Sequence, residues 1–446
     1  MVVHPHWHPP LDVLRAAAQV LDEDADDYDP LLRMTGGRDF VLLGEATHGT
    51  HEFYAMRSAI TRKLVETGGF DAVIVEGDWP DVLRLNRYVT GRSNDLLDEA
   101  FAGFQRFPAW MWRNRDVREF IDWLHGRNAA LPGHARVGFY GMDLYSLYRS
   151  ADAVVAYLET VDPEQAQRAR RLYACMDHVR DPQEYGAEAA AGLRPSCRDA
   201  AAVLLTELSG CSGQYLGADG PIAEDEQFFA ERNAHVVLDA ERYYRAMFEG
   251  RVQTWNLRDS HMVNTILALR RHLRASGRPG GIVVWAHNSH LGDARATEMA
   301  QRGEWNVGQL LREQAGAAAT LCVGFTTYAG VVTAARDWNA AAERRRVRAA
   351  HPDSYEHLLH RTGKDRFFLS LHGEAASVLR EPLLERAIGV IYRPETELGS
   401  HYFMASLAAQ FDAIFHLDET SAVEPMDVTA RWTRHLEMPE TFPSGL

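Results

Sequence analysis

Short, continuously apolar runs recur along the chain: FVLLGE (40–45), DAVIVEG (71–77), RVGFYGMD (136–143), GIVVWAH (281–287), ATLCVGF (319–325), AIGVIY (387–392) and FDAIFHL (411–417). Continuous rather than alternating apolarity predicts strands covered on both faces, as in a parallel sheet. Between the runs the apolar spacing changes to three and four. In 51–67, Phe53, Met56, Ile60 and Leu64 share one helical face. The first two strands and this helix make a compact βαβ unit. The stretch between Asp143 and Gly281 reads differently, with helical spacing over 150–180, 198–210 and 224–274 and a Gly/Ser-containing loop at 209–220. The aromatic segment 104–124 is expected to be helical from about Arg113. The run ERRRVR (343–348) reads as a solvated helix face.

The pattern therefore predicts an α/β fold: a mainly parallel central sheet flanked by helices, with a large helical insertion or lid. Residues 1–35 would form an N-terminal extension and first helix. Residues 36–143 and 281–446 would form the α/β catalytic core, and 144–280 the helical insertion.

Ionisable residues collect where these strands end. Glu45 and His48 follow the first, Glu76 closes the second, Asp143 the third, and His287 and His290 the fourth. Open parallel sheets bind ligands beyond the carboxyl ends of their strands, so the four ends point to one site. Histidine titrates near neutral pH and suits general-base work, and an adjacent carboxylate can fix its tautomer. Glu45 and His48 lie three apart across a Gly-flanked turn. Arg57, further along the next helix, is placed to pair with Glu76 or to hold a substrate oxygen. Asp143 reads either as a cleft residue or as the N-cap of a helix near Tyr145. Arg258 and Asp259 lie on the expected helix of the WNLRDSHM segment and read as members of ordinary intrahelical or interhelical salt bridges or as substrate contacts, Arg258 being the better candidate for the latter. Of His287 and His290, His287 is the expected catalytic residue. Phe104, Phe107, Trp110 and Trp112 would line an apolar pocket or simply pack.

No GxSxG, HExxH, P-loop or GxGxxG motif occurs, so a serine acyl-enzyme is not indicated and attack by an activated water fits better. No cofactor is expected. The alternative is a divalent metal at the His48/His287 cluster, since His48-x-x-His51 and His287-x-x-His290 could supply ligands beside the acids. The alternating His4, His6 and His8 read as a frayed terminus.

Composition narrows the partners. A formal net charge of −15 argues against nucleic acid or an anionic membrane. Without an apolar run long enough to span a bilayer or a signal-like N-terminus, a cytoplasmic location is expected. Cys175, Cys197, Cys211 and Cys322 form no CxxC pair and read as free thiols. Oligomeric state is unreadable.

Four segments together, GEATHGTHEF (44–53), VIVEGDW (73–79), WNLRDSHMVNTI (255–266) and VVWAHNSHLGD (283–293), resemble the erythromycin esterase family in order and spacing. The resemblance implies hydrolysis of a carboxylic ester or macrolide-like lactone by histidine-activated water. It implies His48 as general base, Glu45 and Glu76 as its acidic partners, and Arg57 and His287 as groups that bind or polarise substrate. It further implies an α/β core with a mainly helical second part around a deep cleft. A non-catalytic ligand-binding protein on the same scaffold is the remaining alternative, and Arg258, Asp143 and His290 are the expected substrate contacts.

Overall fold

The computed structural model describes residues 10–433, except residues 23, 25, 68, 178, 180, 211–220 and 249. The amino-terminal histidines, Cys211 and most of the expected Gly/Ser loop lie outside the described residues.

The strands, in chain order, are β1 (Gln19–Val20), β2 (Phe40–Leu43), β3 (Phe70–Asp78), β4 (Gly138–Asp143), β5 (Gly281–Trp285), β6 (Thr320–Ala334), β7 (Glu343–Val347), β8 (Arg366–Ser370), β9 (Leu383–Arg386), β10 (Tyr402–Ala405) and β11 (Ala413–Thr420). The main sheet runs β1-β8-β11-β6-β2-β5-β3-β4, with β7 attached to β6, and β9 and β10 pair separately. From β11 to β4 every pairing is parallel. The β1–β8, β8–β11 and β6–β7 pairings are antiparallel.

Both faces of the central strands are covered. Val41, Leu43, Val73 and Val75 pack into one apolar core with Phe53, Ile60 and Leu64 of the helix His51–Thr67. Phe40, Leu42, Ala72 and Ile74 face the other way, onto Met262, Ile266 and Leu269 of the helix Arg251–Ala275. Burying each such aliphatic or aromatic side chain contributes about 1.5–3 kcal/mol. The helices Leu147–Val161, Pro163–Tyr173, Pro182–Ala190, Arg198–Gly210 and Pro221–Ala246 share a third core around Val154, Leu158, Leu204 and Val237.

Several expectations are corrected. Cys175 and Cys197 are disulfide-bonded: Cys197 lies in the helical core, Cys175 packs against it, and the Cα atoms of the two cysteines stand 5.7 Å apart. Cys322 is free and buried. The run 387–392 forms no sheet strand; it makes isolated bridges of Ile388 to Thr47 and Ile391 to Ala335. The basic run at 343–348 is not a helix face but strand β7, whose register places Arg344, Arg345 and Arg346 opposite Thr333, Val332 and Val331. The aromatic segment turns helical at Arg115 after Asn114, whose side chain accepts from Val117 N. Among the described residues, no helix is long and apolar enough to cross a membrane.

Candidate active site

The sheet order sets β2, β5, β3 and β4 side by side, so their carboxyl ends form one row. The turn after β2 approaches its neighbours too closely for side chains. A Cβ on Gly44 would collide with the Asn288 amide, and one on Gly49 with the Thr333 backbone. This close approach lets Asn288 N donate to Glu45 O at 2.8 Å and His287 N donate to the Glu76 carboxylate at 3.0 Å.

Glu45 is fully buried between two partners. Its Oε2 accepts from Arg57 Nη2 at 2.6 Å, and its Oε1 lies 2.9 Å from His48 Nδ1. The Arg57 cation is stacked between the Tyr54 and Trp285 rings, 4.5 and 5.3 Å from their centroids. The hydroxyl of Tyr54 donates to His48 O. With Nδ1–H on the carboxylate, His48 presents an unprotonated Nε2, on a residue that lines a cavity of about 470 Å³.

His287 lies against His48, with ring centroids 4.8 Å apart, yet its nitrogens are engaged differently. Nε2 lies 3.2 Å from Ala46 O and so carries the proton; Nδ1 accepts from Ser289 N and faces Ser289 Oγ at 2.9 Å. Burial and the adjacent His48 push its pKa down to about 3, so the ring is neutral at ordinary pH.

The opposite wall carries charge. The Glu76 carboxylate accepts from Arg258 Nη2 at 2.7 Å, and Arg258 also grips Asp143 through Nε at 3.0 Å and Nη2 at 2.7 Å. Burial pushes the Glu76 carboxyl up, but the charges of His290 and Arg258 outweigh it and hold the group well below the usual range. His290 is sandwiched between acids: Nδ1 meets Asp259 Oδ1 at 2.9 Å, and Nε2 lies 3.4 Å from Glu76 Oε1. Burial opposes protonation there, yet Asp259 and Glu76 prevail and lift the pKa to about 9. His290 is therefore an imidazolium at neutral pH. Its Nε2 also lies 3.1 Å from Arg258 Nη1. Trp255 stacks on the same ring at 4.5 Å.

His48, Glu76, Asp143, Arg258, His287 and His290 thus all line one cavity. Arg57 and Glu45 do not: Arg57 is fully buried behind Glu45, pairing with it and not with Glu76. Only Glu45, of the two expected acids, bonds to the His48 ring. Asp143 is no N-cap; the next helix begins at Leu147, and Asp143 is committed to Arg258 and to Leu144 N. His51 turns away to Asp116 and is half exposed, so the first HxxH pair does not converge. Among the described residues, no three His, Cys, Asp or Glu side chains are grouped to hold a metal ion. Phe104, Phe107 and Trp112 line the cavity, whereas Trp110 packs in the core beside it.

Sequence reasoning passed over Asp78, Arg106 and Trp338, which also line the cavity. Asp78 had a signal, two residues beyond Glu76 on the same strand; it accepts from Arg106 Nε at 3.2 Å. Arg106 and Trp338 sit in loops, where periodicity carries no information.

A family model described as erythromycin esterase matches residues 65–420. Erythromycin esterase type II of Escherichia coli is 27% identical over 123 residues, which is 28% of this chain and 27% of that protein. The putative hydrolase YbfO of Bacillus subtilis (strain 168) is 27% identical over 168 residues, 36% of this chain and 34% of its own length. The chain thus matches about a third or less of these curated relatives. Among solved structures, a succinoglycan biosynthesis protein superposes with a TM-score of 0.76 at 20% identity, covering 93% of this chain and 97% of the other. A Bacillus cereus protein gives 0.75 at 20% identity, with 93% and 98% covered. A mutant erythromycin esterase in its open conformation gives 0.64 at 16% identity, with 89% and 94% covered. At such identities the superpositions establish a common fold.

Proposed function

Because the chain belongs to the erythromycin esterase family, we propose that it hydrolyses a carboxylic ester or lactone through a water activated by His48. The observation that carries this reading is the 2.9 Å approach of His48 Nδ1 to the buried Glu45 carboxylate at the edge of the cavity. The Nδ1–H of His48 is fixed by that carboxylate, which Arg57 holds from behind, and its Nε2 is left for a water in the cavity. Nε2 takes a proton as the water oxygen bonds to the ester carbon, and the carbonyl oxygen becomes an oxyanion. The positive charges of Arg258 and His290 stand in the cavity wall next to Glu76 and favour that developing charge. When the carbon–oxygen bond to the leaving alcohol breaks, the proton on His48 passes to the departing oxygen. No metal enters this scheme, and the placement of His51 and of both nitrogens of His287 favours one without it.

The substrate class is a macrolide lactone, a smaller lactone or an open-chain ester. Incubating the protein with a panel of all three, with mass spectrometry following the gain of one water, tests the reading. At least one member should gain water with the native protein, and should do so about 10²–10⁴-fold more slowly with His48→Gln. Equal conversion by both proteins, or loss of conversion with a chelator and recovery with a divalent ion, would replace the scheme.

A further inference from the structure

The floor of the cavity is the charged row at the strand ends. Elsewhere in its lining, which also carries Arg251, Glu298 and Arg302, two rings from distant parts of the chain meet: Phe107, in the loop before the helix Arg115–Ala129, and Trp338, in the turn joining β6 to β7. Their centroids stand 5.1 Å apart in an edge-to-face arrangement, and both rings line the cavity. Trp338 is 50% exposed, an unfavourable position for the largest apolar side chain unless something covers it.

The turn is built to hold that ring outward over the cavity. Asn339 adopts φ of 59°, a left-handed conformation that Asn tolerates, and Ala340 N closes the turn onto Asp337 O. Arg393 ties the turn down, donating through Nε to Arg336 O at 3.1 Å and pairing with Asp337 at 3.1 Å. With the two rings in contact, the cavity of about 470 Å³ lies in the lower part of the range, roughly 300–1,000 Å³, of pockets for drug-sized ligands.

We propose that Phe107 and Trp338 form an aromatic clasp that selects the substrate by the apolar, ring-bearing part of its alcohol or acyl group while the ester sits on the charged floor. The selection among esters rests on the hydrolase reading above, but binding by the clasp does not. The test therefore uses two readouts. Calorimetric titration with methyl 2-naphthyl ketone, which cannot be hydrolysed, reports binding. The ratio of kcat/KM for 2-naphthyl acetate to that for methyl acetate reports selection. Phe107→Ala and Trp338→Ala should each weaken ketone binding roughly tenfold and lower the ratio by a similar factor. Trp338→Phe should recover most of both, and Leu193→Ala, which alters an exposed apolar residue of the helical part, should change neither. If the ketone does not bind the native protein, if it binds the Ala variants equally well, or if both esters lose rate by one factor, the clasp is refuted. Clasp-dependent ketone binding without hydrolysis of either ester would leave the clasp standing as a binding site and overturn its role in selecting among esters, while the hydrolase reading would still be decided by the lactone and ester panel above.

Discussion

Replacing Arg57 by Met tests whether the buried ion pair behind His48 is what makes it a base. Methionine keeps an unbranched apolar chain against Tyr54 and Trp285 but is shorter, and it removes the guanidinium with its charge and its hydrogen bond. Glu45, fully buried, then loses the cation bonded to its Oε2 at 2.6 Å. Breaking such a pair by removing one partner costs about 3–5 kcal/mol, and the lost stacking of the guanidinium on two rings adds about 1 kcal/mol. Stability should therefore fall by roughly 4–6 kcal/mol, seen as a lower urea midpoint. A buried carboxyl deprived of its counter-ion takes up a proton more readily, and a protonated Glu45 no longer accepts reliably from Nδ1–H. The rate should drop, and the acid limb of the pH–rate profile should move to higher pH. Arg57→Lys, which restores the charge without the planar fork, should recover part of each effect. A lower urea midpoint with the pH profile in its original place would mean that Arg57 merely supports packing. Identical behaviour of the Met and Lys variants would refute the electrostatic argument outright.

Three further outcomes follow from the same geometry. His48→Gln should lower kcat on whichever ester is turned over by about 10²–10⁴-fold, with ligand affinity by calorimetry largely kept. His290 has a folded pKa of about 9 against 6.5 unfolded, so its stabilisation is complete below pH 6.5 and is lost as pH rises through 9; urea unfolding should show a loss of up to roughly 3 kcal/mol across that window, absent in His290→Gln. Reducing the Cys175–Cys197 bond, which closes a loop with a sequence separation of 22, should destabilise the helical part by about 3 kcal/mol, measurable as a thiol-dependent shift of the thermal midpoint.

The strand ends were legible in the sequence because parallel strands buried on both faces are continuously apolar, so an acid or imidazole after such a run marks where it stops. Glu45, Asp143 and His287 follow this rule, whereas β3 runs past Glu76 to Asp78 and His416 lies buried within β11. The partners were not legible, because pairing depends on sheet order. Arg57 was expected to pair with Glu76 or to hold a substrate oxygen, but β5 intervenes between β2 and β3, and Arg57 bonds Glu45 in the turn that precedes its own helix. The run 387–392 is apolar because Ile388 and Tyr392 are buried with Val332 and Val347 in a small separate core, an environment that sequence alone does not distinguish from a sheet. The basic strand β7 was misread for the complementary reason. It lies on an edge with its charged side chains at the rim, so neither apolarity nor alternation announces it.

The neighbouring imidazoles of His48 and His287 cannot serve the same end, and the difference lies in what stands behind each. A base that takes a proton becomes a cation, so it needs an anion in reserve. Behind His48 is the Glu45 carboxylate at 2.9 Å, while His287 has a backbone carbonyl on one nitrogen and a serine on the other. Protonating His287 would place a buried charge beside His48 with no bonded carboxylate, which is why its pKa falls to about 3. A neutral ring that never competes for the proton is nevertheless useful there. It fixes the turn through Ala46 and packs against the face of His48, and its backbone amide fastens Glu76 to the same corner. On this reading His287→Asn should disturb the placement of His48 and lower kcat, without adding or removing a limb in the pH–rate profile. Disappearance of a limb in that variant would transfer the role of base from His48 to His287.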